Sequence, residues 1–173
     1  MKSLALILAA LAALTLASCA SAPAGTKAAP AAPKAKNLAL GKTASSNNHI
    51  LDFSPDKAVD GDTASYFEGA ANSYPNLLTI DLDKKSVLKS VTIRLNPRKI
   101  WTGRTQTLSI LVSDDGTSFT TILPSADYDF SPLDGGNAVT IPVKASGRYV
   151  QISFTANTEA TGGQAAEVEV DGE

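Results

Sequence analysis

Residues 58–69 read AVDGDTASYFEG. Asp60, Asp62, Thr63 and Ser65 offer oxygen donors close together in the chain. Two chemistries fit that spacing. One is a tight turn, because Gly takes positive φ at no steric cost and Asp bonds its own backbone. The other is a hard-cation loop, because Ca²⁺ takes about six to eight oxygens from carboxylates, hydroxyls and carbonyls. The spacing is not that of an EF-hand, whose third acidic position, Gly and closing Glu do not fall in register here. A cation in this loop would need further ligands from elsewhere in the chain.

A second cluster lies in NPRKIWTGRTQT, residues 96–107, where Arg98, Lys99 and Arg104 flank the only Trp, Trp101. An exposed aromatic beside hydrogen-bonding side chains suits a sugar ring, whose apolar face stacks while polar groups read its hydroxyls. The alternative is that Trp101 plugs one end of a core with its indole N–H bonded to backbone. Both readings fit a stretch between strands, since ligand sites are themselves mostly apolar with a few placed polar groups. His49, Glu68 and Tyr74 also fall between predicted strands. Catalytic signatures are missing from the sequence: it has no phosphate-binding Gly loop, no Gly-x-Ser-x-Gly elbow and a single His. Paired-carboxylate hydrolysis stays open on residue types alone, because carboxylate separations are not legible in a sequence. A single domain of this size makes an enzyme the less favoured expectation.

The elements that must position these residues have a period of two. Leu78, Ile80 and Leu82 alternate with polar neighbours, as do Val91, Ile93 and Leu95. The same holds for Leu108, Ile110 and Val112, for Val139, Ile141 and Val143, for Val150, Ile152 and Phe154, and for Val168 and Val170. Alternation of this kind turns one face of each strand to a core. The separators Asp83-Lys84-Lys85, Asp114-Asp115-Gly116, Asp134-Gly135-Gly136-Asn137 and Ala145-Ser146-Gly147 read as turns between strands. Many short strands with such turns predict an all-β antiparallel sandwich or barrel, with function carried on loops at its ends. The one helical expectation is a short turn over residues 54–59, with Ser54 capping and Pro55 at its first position.

The N-terminus predicts export. Residues 1–18, MKSLALILAALAALTLAS, have a lysine followed by an apolar run of signal-peptide length, too short to span a bilayer comfortably. Leu16-Ala17-Ser18-Cys19 resembles the bacterial lipobox, which implies acylation of Cys19 and a membrane-anchored lipoprotein; an ordinary cleaved signal peptide is the alternative. The single Cys makes no internal disulfide. Ala20 rather than Asp follows it, which points to the outer membrane or cell surface if the host is Gram-negative. Residues 19–36 are rich in Ala, Pro and Lys and predict an extended tether. Residues 37–173 make one domain of ordinary size. They hold all 17 acidic residues and 11 of the 15 basic ones, the other four being Lys2, Lys27, Lys34 and Lys36, for a formal charge of −6. That balance argues against a phosphate-driven nucleic-acid binder and, less strongly, against electrostatic docking of the domain on anionic lipid, whereas the tether, with its three Lys, suits a place near an anionic headgroup layer.

In chain order, NLALGKTASSN, AVDGDTASYFEG, NSYPNLLTIDL, RTQTLSILVSDDGTSF, GRYVQISFTANT and AAEVEVDG carry a resemblance. Residues 37–172 resemble a coagulation-factor type C, or discoidin, domain, closest to bacterial family 32 carbohydrate-binding modules. The resemblance implies a galactose-binding-like jelly-roll β-sandwich. It also implies a structural calcium in the loop 57–65. Lys57 would give a backbone carbonyl, Asp60 a carboxylate, Asp62 a carbonyl, and Ser65 a carbonyl or hydroxyl. Glu167 would close the shell from the last strand. The family's sugar site lies in loops at one end, where Glu68, Trp101 and Arg104 match, and where His49, Asn72 and Tyr74 would line the rim. One departure stands out: residues 157–164, NTEATGGQ, lack the aromatic that relatives often carry there. The chain also lacks the disulfide of vertebrate relatives, which sets it with the sugar binders rather than the phosphatidylserine binders. The resulting expectation is a noncatalytic carbohydrate-binding lipoprotein with a structural Ca²⁺. The alternative is an adhesion module for a protein partner.

Overall fold

The computed structural model describes residues 36–98 and 100–173. The expected signal peptide, the lipobox-like stretch with Cys19, Lys99 and nearly all of the expected tether lie outside the described residues.

Among the described residues eight strands follow one another: β1 (Thr43–Ser46), β2 (Phe67–Glu68), β3 (Asn76–Arg94), β4 (Arg104–Ser113), β5 (Thr120–Phe130), β6 (Ala138–Asn157), β7 (Gln164–Ala165) and β8 (Glu167–Gly172). Every pairing is antiparallel. The architecture is an all-β jelly-roll sandwich, the sandwich being one of the two outcomes the alternation predicted and the jelly roll what the resemblance implied. Leu78, Ile80, Val91, Ile93, Leu108, Ile110, Val150, Ile152, Phe154, Val168 and Val170 are all buried, each on the inward phase of its strand.

Two long strands build both layers. The first half of β3 pairs with β1 and with the second half of β6, which continues to β4 and β5. The second half of β3 pairs with β8 and with the first half of β6. The pairing of β3 with β6 shifts register between Asp81 and Ser86 and again between Leu88 and Ser90. Asp83-Lys84-Lys85 and Ala145-Ser146-Gly147 are therefore corners inside continuous strands, not turns between separate ones. Bulges bend a strand with the same residues that make turns. Asp83 has φ 68°, and its N–H donates to Asp81 Oδ1 at 2.8 Å. Asp114-Asp115-Gly116 and Asp134-Gly135-Gly136-Asn137 do lie between strands.

The corners define two ends. Lys36–Lys42, the β3 corner, Asp114–Ser118, the β6 corner and Glu173 lie at the corner end. The loops before β3, after β3, before β6 and between β6 and β8 lie at the opposite, open end. Gly163 and Ala166 tie those loops together: the Gly163 N–H donates to Asn76 Oδ1 at 2.8 Å, and the Ala166 N–H donates to the Arg94 carbonyl at 2.7 Å. A single 3₁₀ turn, Pro55–Ala58, stands where the short helix was expected, with Pro55 at its start. Ser54 precedes it but makes no side-chain capping bond.

Candidate functional site

The oxygens of loop 57–65 converge on Ser65. Its hydroxyl lies 2.6 Å from Asp60 Oδ2, 2.9 Å from the Asp62 carbonyl and 3.5 Å from the Lys57 carbonyl. Gly61 makes this possible by adopting φ +84°, a value that strains any side chain. Asp62 turns its carboxylate away, accepting the Ala64 N–H at 2.8 Å. Glu167, from the start of β8, reaches the same loop and accepts the Gly61 N–H on Oε2 at 3.0 Å. Glu167 is only 4% exposed, and its Oε1 is buried with no hydrogen-bond partner. The nearby cation Arg94 is committed to Glu169, at 2.7 and 3.2 Å.

Burial, opposed by the Gly61 N–H and reinforced by the charge of Asp60, pushes the Glu167 carboxyl up to about 7. A buried carboxylate oxygen without a donor is costly. The donor set that would relieve it is carboxylate, hydroxyl and backbone carbonyl, which is hard-cation chemistry. Among the described residues no three His, Cys, Asp or Glu side chains gather, so the loop does not offer the imidazole and thiolate ligands of a zinc site. In donor type, Lys57, Asp60, Asp62, Ser65 and Glu167 fit a hard cation such as Ca²⁺.

Asn96 ties this loop to the next one. Its amide donates to the Ala64 carbonyl at 2.9 Å, and its Oδ1 accepts the Arg98 N–H at 2.9 Å. The chain then folds inward, and Trp101 is 7% exposed. The exposed stacking platform is thus corrected: Trp101 closes the open end of the core. Its ring meets Tyr66 edge-on with centroids 4.8 Å apart, and the Arg104 guanidinium covers it at 4.6 Å. Position between strands does not imply exposure when a loop is pinned by a buried Asn.

Arg104 and Glu68 are brought together through Gln164. Gln164 Oε1 accepts from Arg104, and its amide donates to Glu68 Oε2 at 2.9 Å. Register explains the meeting, since Glu68 of β2 pairs with Gln164 of β7. Gln106, fully buried on β4, fixes Gln164 from behind. Its amide donates to the Gln164 carbonyl at 2.9 Å, and its Oε1 accepts the Gln164 N–H at 2.7 Å. Asn157 adds bonds to Gln106 Oε1 at 3.2 Å and to the Gly162 carbonyl at 3.0 Å. The amide of Gln164 is thereby oriented, with its oxygen toward a cation and its nitrogen toward an anion.

Burial pulls the Arg104 guanidinium below its ordinary value, opposed by Glu159, Glu68 and Tyr66. Tyr66 and Tyr74 are both pushed up, first by burial and then by Glu68, so both are neutral donors at pH 7. Tyr66 is half-buried, stacks on Phe53 with centroids 4.4 Å apart, and shares the field of Arg104 and Glu68. It is the aromatic that the sequence reading missed. Tyr74 lies half-buried beside Glu68, with its hydroxyl buried and unpartnered. Asn72 is exposed and tied by its N–H to the Thr161 carbonyl at 2.8 Å. His49 is exposed, 3.5 Å from the Ser46 hydroxyl. Among the described residues neither bonds to Glu68, Gln164 or Arg104. The other wall of Arg104 borders an open cleft of about 350 Å³ lined by Thr105, Asp129, Ser131 and Thr158. Glu159 accepts a 3.0 Å bond from the Thr102 hydroxyl.

This fold and arrangement of loops define a known class. Residues 41–168 match the F5/8 type C domain, and the chain belongs to that family. Solved structures with the same fold include chitosan-binding module 2 of a Paenibacillus sp. IK-5 chitosanase/glucanase in complex with chitotriose, at 25% identity and TM-score 0.62, covering 79% of this chain and 100% of that one. CpGH89CBM32-5 from Clostridium perfringens, in complex with GalNAc-β-1,3-galactose, aligns at 20% identity and TM-score 0.65, covering 79% and 99%. The CBM32 of AlyQ in complex with 4,5-unsaturated mannuronic acid aligns at 20% identity and TM-score 0.58, covering 74% and 92%. No curated protein sequence matches the chain.

Proposed function

We propose that this protein is a noncatalytic carbohydrate-binding module, held at a membrane by an acylated Cys19 and folded around a structural calcium ion. The observation that carries the reading is the Arg104–Gln164–Glu68 array at the open end of the sandwich. A guanidinium donor and a carboxylate acceptor, locked by one oriented amide, suit adjacent hydroxyls of a pyranose. Tyr66 and Phe53 supply the apolar wall beside them. Similar folds hold chitotriose, GalNAc-β-1,3-galactose and an unsaturated uronic acid, which supports a sugar as the ligand class. Noncatalytic binding is supported by the similar solved structures, which are binding modules.

The calcium would be held by the Lys57 and Asp62 carbonyls, Asp60, Ser65 and Glu167. It would supply charge neutralisation for two carboxylates. The residues themselves do the rest: Glu167 ties β8 to the loop, and Asn96 passes that rigidity to the segment bearing Trp101 and Arg104. Lipid anchoring rests on the Leu16–Cys19 sequence, and with it an outer-membrane or surface location. The test is a glycan array probed with the protein in calcium and in EDTA. Binding to a defined set of glycans supports the reading. An array with no binding, together with specific capture of a protein partner, favours the adhesion alternative.

A further inference from the structure

Arg104 takes part in two places at once. Its Nη1 donates to Gln164, which carries the contact on to Glu68. Its Nε donates to the Thr102 carbonyl at 3.2 Å, and the guanidinium lies over the Trp101 ring at 4.6 Å. Those bonds use Nε and Nη1 and leave Nη2 to donate elsewhere. The same guanidinium walls a cleft of about 350 Å³ whose lining includes neither Glu68 nor Gln164. That volume is at the lower end of small-ligand sites, about 300–1,000 Å³.

The polar groups of this cleft are held in place before any ligand arrives. The Thr158 N–H donates to the Thr105 carbonyl at 3.0 Å, and the Thr158 hydroxyl oxygen accepts the Thr105 N–H at 3.0 Å. The Thr158 hydroxyl therefore keeps its own hydrogen to donate. The Thr105 hydroxyl donates to Asp129 Oδ1 at 2.6 Å, which orients that carboxylate and leaves Oδ2 as a charged acceptor. Ser131 is set by two backbone bonds with Gly136, at 2.7 and 2.9 Å. Groups fixed in this way lose little freedom on binding.

Asp129, Ser131 and Thr158 are all exposed. β5, which carries Asp129, is the edge strand of its sheet, so among the described residues no further strand walls that side. The cleft offers no aromatic face, because Phe130 lines it but is only 1% exposed. What it offers is a guanidinium donor, a hydroxyl donor and a carboxylate acceptor within one small space. That set reads hydroxyl groups by hydrogen bonds instead of stacking on a ring.

We propose that the cleft of Arg104, Asp129, Ser131 and Thr158 is a second subsite for a neutral sugar, taking the unit next to the one held by Arg104, Gln164 and Glu68. The protein then recognises an oligosaccharide of at least two units, not a terminal monosaccharide alone. The subsite rests on the carbohydrate reading above and adds the length of the ligand to it. Arg104 bridges the two units, Asp129 accepts from a hydroxyl of the second, and Thr158 donates to one.

The test is a length series, titrated by calorimetry with calcium present. For the glycan bound most tightly on an array, the probes are the methyl glycoside of its terminal sugar and the matching disaccharide and trisaccharide. The disaccharide should bind at least about tenfold more tightly than the monosaccharide. Asp129→Ala should lower the disaccharide affinity about tenfold and Ser131→Ala about fivefold, and both should leave the monosaccharide affinity unchanged. Arg104→Ala should weaken both probes. Unchanged melting temperatures confirm folding, and Ser131→Ala carries the same comparison if Asp129→Ala does not fold. Equal affinities across the three lengths, a folded variant that keeps the full gain, or one that weakens both probes alike would each overturn the subsite and leave the carbohydrate reading standing. An array with no bound glycan would remove both.

Discussion

Glu167 Oε2 accepts the N–H of Gly61, 106 residues earlier, at 3.0 Å, while its other oxygen is buried without a partner. One carboxylate therefore closes the first long loop onto the last strand and is itself left half-satisfied. A calcium ion held by that loop would bind only the folded chain. It would raise stability by RT ln(1 + [Ca²⁺]/Kd), about 2.7 kcal/mol at a hundredfold excess over Kd. Calcium is expected to raise the melting temperature, and Asp60→Asn or Glu167→Gln to remove most of the rise. Melting curves that coincide in calcium and EDTA would contradict the site.

The same carboxyl gives a pH signature. Its folded value, about 7, lies above the ordinary 4.5. Protonated Glu167 then stabilises the calcium-free fold fully below about pH 4.5, and that contribution is lost as pH rises through about 7. The expected loss is on the order of 3 kcal/mol relative to Glu167→Gln, which stays neutral. Urea unfolding of both proteins in EDTA from pH 4.5 to 8 measures it. Parallel pH profiles would show that Glu167 is not destabilised by ionising.

Gln106 is the buried support of the open-end array, through its two bonds to the backbone of Gln164. Gln106→Leu removes the side-chain partners of the Gln164 N–H and carbonyl, a cost of about 1–3 kcal/mol. The variant is expected to lose that much stability in urea and to weaken glycan binding, although Gln106 itself touches no ligand. Unchanged stability would mean that the network is not intact in solution.

Trp101 reports on packing rather than on the ligand face. Trp101→Ala removes a buried ring from the end of the core and should cost about 3–5 kcal/mol. As the only Trp, its fluorescence should shift on adding calcium, because Asn96 ties its loop to the Ala64 carbonyl at 2.9 Å. A stable Trp101→Ala protein would contradict the buried role.

Much of this was legible in the residues. Period-two alternation located the buried faces, because a strand turned to a core must alternate. The corners were not legible, since Asp83 at φ 68° and Gly147 look the same in a bulge as in a turn. The loop 57–65 showed its oxygens locally, but Glu167 lay out of reach of any local reading and came only from the family resemblance. Gln106 carried a signal that went unread. It sits on the inward phase of Leu108, Ile110 and Val112, where a polar residue must find buried partners. Tyr66 carries no local signal of its own, because it adjoins Asp60–Ser65, whose oxygens already account for the stretch.

Anchoring has its own measurement. The mature N-terminus, extracted with detergent, should carry an acylated Cys19 by mass spectrometry, and Cys19→Ser should move the protein out of the detergent phase. A soluble protein with an unmodified Cys19 would contradict the anchor.

The central claim is that Arg104, Gln164 and Glu68 together bind a sugar. Isothermal titration against a glycan selected on the array tests it most directly, with calcium present and folding checked by circular dichroism. The expected wild-type affinity is between about millimolar and micromolar, or about −4 to −8 kcal/mol. Arg104→Ala, Glu68→Ala and Gln164→Ala should each weaken it about tenfold or more, with Gln164→Ala acting through both of its neighbours. Folded variants that all bind the glycan as tightly as the wild type would place the binding site elsewhere.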